Sequence, residues 1–549
     1  MTSANGPATG RPAARAERGM VSAPHQLASS AGLHALRRGG SAADAAIAAN
    51  AVLCVVYPHM AGLGGDAFAL IRPPGRPVEA LNAAGPAGSK ATREHYERAG
   101  HTEEIPSRGP LAALTVPGAV DGWRQAHERH GRLPWGELFD DAIHLARSGF
   151  PVSRSLAQWL PQDAAMLRQD PGASSIFLPG GRVPREGDRL VNPDLARAFE
   201  AIARRGAREG FYEGELAQRL CHVAESPLVP EDFAGFTASW VAPIETTYRG
   251  LTVLEFPPST QGFAALQMLN ILEGYDVAGW GDLSVEYVHH ATEAVKLAFA
   301  DRDAWLTDPK HHDIPLDRLL AKDYADERRR RIDPTAALDA VALDSGVPGG
   351  WTGVRPVPAG DTCYLAAVDA DGMVVSFIES IYHDFGSGVV PEGTGILLQN
   401  RGSFFSLDEE HHNRLDPDKH TFHTLMPGMV LREDGSPYAA LGTMGGEGQP
   451  QTQVAMLTRM VDFGYDVQQA IEAPRWLMGR TWGAESRDLW LEGRIPDPVV
   501  HELERLGQPV RMLPDWDDNL GHAHAIRIHP DGFLEGGADP RGDGAALGF

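Results

Sequence analysis

Residues 360–388 constrain this chain more than any other stretch. Two apolar, β-branched-rich runs, 363–368 and 373–378, flank Asp369-Ala370-Asp371-Gly372. Such runs suit buried or half-buried strands, and Asp with Gly supplies a turn, so the pattern predicts a β-hairpin. Immediately before its first strand stands Thr362, preceded by Pro358-Ala359-Gly360-Asp361. Taken alone, a threonine at a strand start is ordinary, because β-branched side chains favour strands.

Composition narrows the partners. The net charge of −24 argues against nucleic acid or an anionic membrane as the main partner and favours solubility. A hydrophobic content of 43% with 22% charged residues is that of a globular protein, and 549 residues can bury a large core. The cysteines Cys54, Cys221 and Cys363 form no CxxC and no disulfide framework. Alternation on the first strand would turn Cys363 away from the Thr362 face, as a small apolar filler. Residues 1–20 contain no apolar core of the kind an export signal needs; they read as a flexible tail, and a cytoplasmic location is expected. No uncharged apolar run is long enough to span a bilayer.

Along the chain, 24–38 and 41–56 read as helices, the second opening on Ser41 as an N-cap and then rich in alanine, as in a helix packed closely on a sheet. Residues 58–68 are glycine-rich but lack the spacing and lysine of a phosphate-binding loop. Strands are expected at 68–72 and 77–82, and helices at 138–148, 193–205, 213–225 and 263–272. The run Arg328-Arg329-Arg330-Arg331 reads as a solvated helix face in an acidic chain, and 345–358 as an exposed loop. Three adjacent histidine pairs (His289-His290, His311-His312, His411-His412) lack the spacing of a metal site, and no Gly-x-Ser-x-Gly elbow has credible partners. Neither a metal nor a cofactor is called for.

Asp361-Thr362 and its hairpin, followed by Phe385-Gly386-Ser387-Gly388 and residues 395–400, resemble the self-cleavage site of the γ-glutamyltransferase family. Further matches follow in family order at 39–68, 116–123, 257–262, 293–303, 421–427, 441–451, 470–476, 521–526 and 536–546, so the resemblance spans residues 20–549. It implies an α/β fold, the four-layer αββα sandwich of the N-terminal-nucleophile hydrolases. It also implies that the Asp361–Thr362 bond is cut, giving a large piece (21–361) and a small one (362–549) that stay paired as one compact unit. The Thr362 hydroxyl would then be the nucleophile and its own α-amine the base. That pairing makes chemical sense. A hydroxyl attacks poorly unless its proton is removed, and an α-amine, titrating near 7.7–8.0, is partly neutral at pH 7 where a lysine is not.

By the same resemblance, Ser380 supports the nucleophile and Gly445-Gly446 supply oxyanion-binding N–H groups. Thr424 matches one of a pair of serines lining the pocket, and His423 stands in place of the other. Relatives that recognise glutamate use an Asp, an Asn and an Arg. Here the first two positions hold Phe404 and Tyr382, and residues 81–85 contain no arginine. An ammonium buried without a carboxylate is strongly disfavoured. Arg401 could instead hold a carboxylate bidentately, or be a surface arginine. The expected substrate is therefore a small carboxylated amide, oxamate- or glutaryl-like, cleaved through an acyl-enzyme; a γ-glutamyl substrate such as glutathione stays open. Two other readings also stand: a carbon–carbon bond hydrolase on the same scaffold, and an unprocessed, inactive binding homologue.

Overall fold

The computed structural model describes residues 7–352, 361–479 and 486–549, with Asp361 described by its backbone alone. Two seven-stranded sheets form its centre, and every strand pairing within them is antiparallel. The first runs in the order Ala14–Ala16, Leu534–Ala538, Ala523–Ile528, Pro437–Thr443, Gly428–Leu431, Leu251–Glu255, Ile244–Tyr248. The second runs Ala545–Gly548, Met20–Ala23, Asp361–Val368, Val374–Tyr382, Asp66–Arg72, Glu79–Ala83, Ser239–Val241. Both sheets mix strands from before and after Asp361, so the pieces on either side of that bond complete one another's sheets.

Alternation along the strands creates the layers. Tyr364, Ala366 and Val368 pack with Phe68, Leu70, Leu254, Met429, Ala440 and Ile526 between the sheets. Cys363, Leu365 and Ala367 point the other way, into a core shared with the helices Gln26–Arg37 and Ala42–Val56. On the outer face of the first sheet, Val253, Val430, Leu441 and Ala525 pack against the helices Gly262–Leu272, Val285–Trp305 and Gly448–Val461. The result is the expected αββα sandwich, with Cys363 buried as an apolar filler.

Local chemistry explains the element ends. Ser41 caps Ala42–Val56 in a reciprocal box: its hydroxyl accepts from the Asp44 N–H (3.1 Å), and the Asp44 carboxylate accepts from the Ser41 N–H (2.8 Å). The predicted hairpin is present as Asp361–Val368 and Val374–Tyr382. The glycine-rich loop serves close packing. A Cβ on Gly64 would come within 2.0 Å of the Leu397 carbonyl oxygen, so only glycine lets the two backbones meet.

Three expectations change. Within the stretch read as a tail, Ala14–Ala16 pairs with Leu534–Ala538 and the Gly10 N–H donates to Glu472 (2.6 Å). On the tail's side these contacts come mainly from backbone groups, which an Ala/Gly/Arg-rich sequence does not advertise. Arg328 is buried rather than solvated, donating to the carbonyls of Leu297 (2.8 Å) and Asp344 (3.3 Å); the exposed arginines of that run are Arg330 and Arg331. Finally, the expected helix 213–225 is shortened to Glu215–Cys221. Of the loop expected at 345–358, residues 353–358 lie outside the described residues.

Candidate active site

Thr362 is the second residue of its strand and only 1% exposed. The register between the hairpin strands shifts between Asp361 and Cys363, where Asp361 pairs with Tyr382 and Cys363 with Glu379. An irregularity of this kind re-aims side chains and is common beside functional sites. The next residues of the strand on alternate positions, Tyr364 and Ala366, face the core between the sheets. The side chain of Asp361, the other half of the expected cleavage bond, is outside the described residues.

Ser380 lies on the neighbouring strand. Its hydroxyl accepts from the Tyr382 N–H (2.7 Å) and from Arg401 Nη2 (3.3 Å). The first bond steadies Tyr382 at φ 81°, a backbone region that a bulky residue adopts only when its surroundings hold it there. Tyr382 thereby leaves the strand with its ring 4.4 Å from that of Phe404, which in turn meets Phe422 at 4.8 Å.

Arg401 sits over this aromatic wall, its guanidinium carbon 4.3 Å from the Tyr382 ring centre and 5.5 Å from that of Phe404. It is 1% exposed, so the surface-arginine alternative falls away. Nη1 donates to Thr424 Oγ1 (3.2 Å), and Nε has no partner among the described residues. Burial pulls its pKa down to about 10, partly offset by the fields of Tyr382 and Asp66, so it stays a cation at neutral pH. Among the described residues, Arg401 forms no ion pair with a carboxylate.

Gly445 (φ 118°) and Gly446 (φ 51°) connect the strand Pro437–Thr443 to the helix Gly448–Val461. Their backbone conformation is open to glycine and hard for other residues. N–H groups just ahead of a helix stand at its partially positive end, suited to a developing oxyanion. A Cβ on Gly442 of the same strand would strike the Tyr364 ring at 2.3 Å, so this strand end lies directly over that of Thr362.

Two contributors had no role assigned from the sequence. Gln261 Nε2 donates to the carbonyls of both Thr424 and Gly446 (2.8 Å each). Its Oε1 accepts from Arg302 Nη1 (3.1 Å), and Arg302 Nη2 is paired with Glu447 (2.8 Å). Asp66 opposes Ser380 on the next strand. Its Oδ1 accepts from the N–H groups of Gly85 (3.1 Å) and Gly118 (3.2 Å) and from Gln399 Nε2 (3.0 Å). Its Oδ2 faces His423 Nε2 at 3.4 Å. Burial raises the Asp66 pKa to about 7 against those donors and Arg401, while burial and Arg401 hold His423 well below its ordinary value, neutral. A carboxylate directly ahead of the apolar run 67–71 was the available signal.

Ser380, Tyr382, Arg401, Phe404 and Thr424 are thus in direct contact, His423 joins through Asp66, and Gly446 through Gln261. Among the described residues no group of three or more His, Cys, Asp or Glu side chains is arranged to hold a metal ion. No helix among them is long and apolar enough to cross a membrane.

Two stacked antiparallel sheets between helix layers are the fold of the N-terminal-nucleophile hydrolases. The family model for gamma-glutamyltranspeptidase matches residues 28–549, and the chain belongs to that family. It is 47% identical over 534 residues to the glutathione hydrolase-like YwrD proenzyme of Bacillus subtilis, covering 96% of this chain and 98% of the relative. Against the oxamate amidohydrolase proenzyme of Klebsiella pneumoniae the identity is 43% over 540 residues, covering 97% and 98%. A cephalosporin acylase from Bacillus halodurans has the same fold (TM-score 0.90, 36% identity, 100% of this chain and 99% of that one). The protein is accordingly an enzyme, an amidohydrolase of the N-terminal-nucleophile type.

Proposed function

We propose that the chain cuts itself between Asp361 and Thr362, and that the freed threonine hydrolyses a small amide whose acyl part carries a carboxylate and no free α-amine. The observation that carries this reading is Arg401: a buried guanidinium, walled by Tyr382 and Phe404 and with no carboxylate in ion-pair contact among the described residues. A buried cation of this kind is costly unless something anionic meets it, and a planar fork suits a carboxylate. Phe404 and Tyr382 provide no carboxylate or amide for an α-ammonium. At the edge where an arginine would be needed, Asn82 accepts from the Ala84 N–H instead (3.0 Å). Similarity to an oxamate amidohydrolase and a cephalosporin acylase supports the same direction.

In this mechanism the α-amine of Thr362 takes the hydroxyl proton as Oγ attacks the amide carbonyl. The N–H groups of Gly445 and Gly446 stabilise the oxyanion, which removal of one such donor would raise by roughly 2.7–4 kcal/mol. The ammonium passes its proton to the departing amine, and water then repeats the sequence on the acyl-enzyme. The test is a screen of γ-glutamyl, glutaryl and oxamyl amides. Turnover favouring the glutaryl or oxamyl amides is expected; a marked preference for the γ-glutamyl amide would overturn the substrate reading.

A further inference from the structure

Behind Arg401 lies a polar pair that the proposed chemistry does not use. Oδ1 of Asp66 is saturated by three N–H donors, so only Oδ2 is left for His423. Above its pKa of about 7 the Asp66 carboxylate is ionised and its oxygen can only accept, so at pH 8 the His423 proton belongs on Nε2 and Nδ1 keeps its lone pair. The ring has little freedom. Phe68 stands edge-on to it at 4.7 Å and 82°, while the His423 backbone N–H donates to the Ser259 carbonyl (2.8 Å) and its carbonyl accepts from the Gln261 N–H (3.1 Å).

Nδ1 of His423 is buried without a partner among the described residues, and so is Nε of Arg401. Buried polar atoms are nearly always bonded, and exceptions ask for an explanation. Here one unpaired acceptor and one unpaired donor belong to the same site, since Arg401 is bonded to Thr424, the residue after His423.

We propose that Asp66 and His423 form a second recognition point, in which His423 Nδ1 accepts a hydrogen bond from a neutral hydroxyl or N–H borne by the substrate's acyl part next to its carboxylate. This rests on the reading of Arg401 as the carboxylate anchor. The substrate class becomes an amide of a dicarboxylic acid with a hydroxyl or acylated amino group beside the free carboxylate. An ammonium in that position would meet the buried Arg401 cation, whereas Asp66 has no oxygen left for it: one is saturated and the other faces His423.

The test is calorimetric titration of the processed enzyme at pH 8 with glutarate, 2-hydroxyglutarate, 2-methoxyglutarate and L-glutamate. Binding is read directly, so the result does not depend on turnover. 2-Hydroxyglutarate is expected to bind at least tenfold more tightly than 2-methoxyglutarate. In Asp66→Asn the amide oxygen must take the three N–H donors, which puts the amide NH2 against His423 Nε2. The ring proton then moves to Nδ1, and the preference for hydroxyl over methoxy should vanish. Equal binding of those two ligands to the wild-type enzyme, with glutarate still bound, would overturn the subsite and leave the Arg401 anchor standing. Tighter binding of L-glutamate than of 2-hydroxyglutarate would overturn the neutral-donor class, and an unchanged preference in Asp66→Asn would overturn the role of Asp66. If none of the four ligands binds, the proposal falls together with its anchor. Should Asp66→Asn not fold, the wild-type comparison decides alone.

Discussion

The side-chain amide of Gln261 donates to the Gly446 carbonyl at 2.8 Å, tying the candidate oxyanion loop to a helix start outside the hairpin. The same nitrogen holds the Thr424 carbonyl, and Arg302 fixes the other end of the amide. Gln261→Leu removes both donors without adding charge. Because oxyanion geometry matters in the transition state and little in the ground state, kcat should fall about tenfold or more with KM nearly unchanged. Steady-state kinetics on a good amide substrate checks this; a rise in KM at constant kcat would place Gln261 in substrate binding instead.

Arg401→Met separates function from stability. The side chain is fully buried and pairs with no carboxylate among the described residues, so replacing it by an apolar group of similar length should leave the melting temperature unchanged or raised. Activity should move the other way. Losing one partner of a buried charge pair costs about 2–5 kcal/mol, which predicts a fall in kcat/KM of roughly a hundredfold on a carboxylated amide. A large fall in melting temperature would mark Arg401 as structural.

Asp66 gives a pH dependence whose sign can be worked out. Burial raises its pKa from 3.8 to about 7, against the opposing donors Gly85, Gln399 and Gly118 and the cation Arg401. His423 facing it is held neutral, and Glu379 on the same strand as Ser380 is itself raised to about 8 by burial. Between about pH 4 and 7 the folded protein therefore keeps a proton that the unfolded chain has released, so stability falls as pH rises through that window. The slope is up to roughly 1.4 kcal/mol per pH unit for one such group. Urea unfolding of the uncleaved Thr362→Ala chain at pH 5 and pH 8 measures it, and adding Asp66→Asn should shrink the difference, leaving the share that Glu379 contributes.

A charge cluster near the C-terminus makes a contrasting case. Asp539 is buried between Arg475 and Arg541, which hold its carboxyl far below the usual range; Arg541 also pairs with Glu492 (2.7 Å). Arg475 further donates to the carbonyls of Leu520 and Gly521, beside Gly445. Asp539→Asn leaves two buried guanidiniums short of countercharge and should destabilise the fold by about 3–5 kcal/mol. Chemical denaturation checks the magnitude, and an effect below about 1 kcal/mol would contradict it.

The hairpin, the capped alanine-rich helix and the buried Cys363 were legible because each depends on local pattern: β-branched runs about a turn, Ser41 as N-cap ahead of an alanine run, strict alternation. The sandwich itself came through family resemblance, since alternating helices and strands do not dictate how two sheets stack. Asp66 and Gln261 escaped because their roles exist only after distant segments meet, residue 66 with 423 and residue 261 with 446. Arg401 was legible as a residue type but ambiguous in burial, which only the aromatic wall of Tyr382 and Phe404 decides. The pairing of Ala14–Ala16 was invisible because its ladder is made by backbone groups, with the Arg15–Glu535 ion pair (3.3 Å) added by side chains.

The central claim is that the polypeptide breaks at one bond to create its nucleophile and base together. Intact-mass and N-terminal analysis of purified, active enzyme tests it directly. Two fragments are expected, the smaller beginning at Thr362, eluting together under native conditions because both sheets draw strands from each; Thr362→Ala should remain one chain and inactive. Full activity in a preparation that contains only the uncut 549-residue chain would contradict the account.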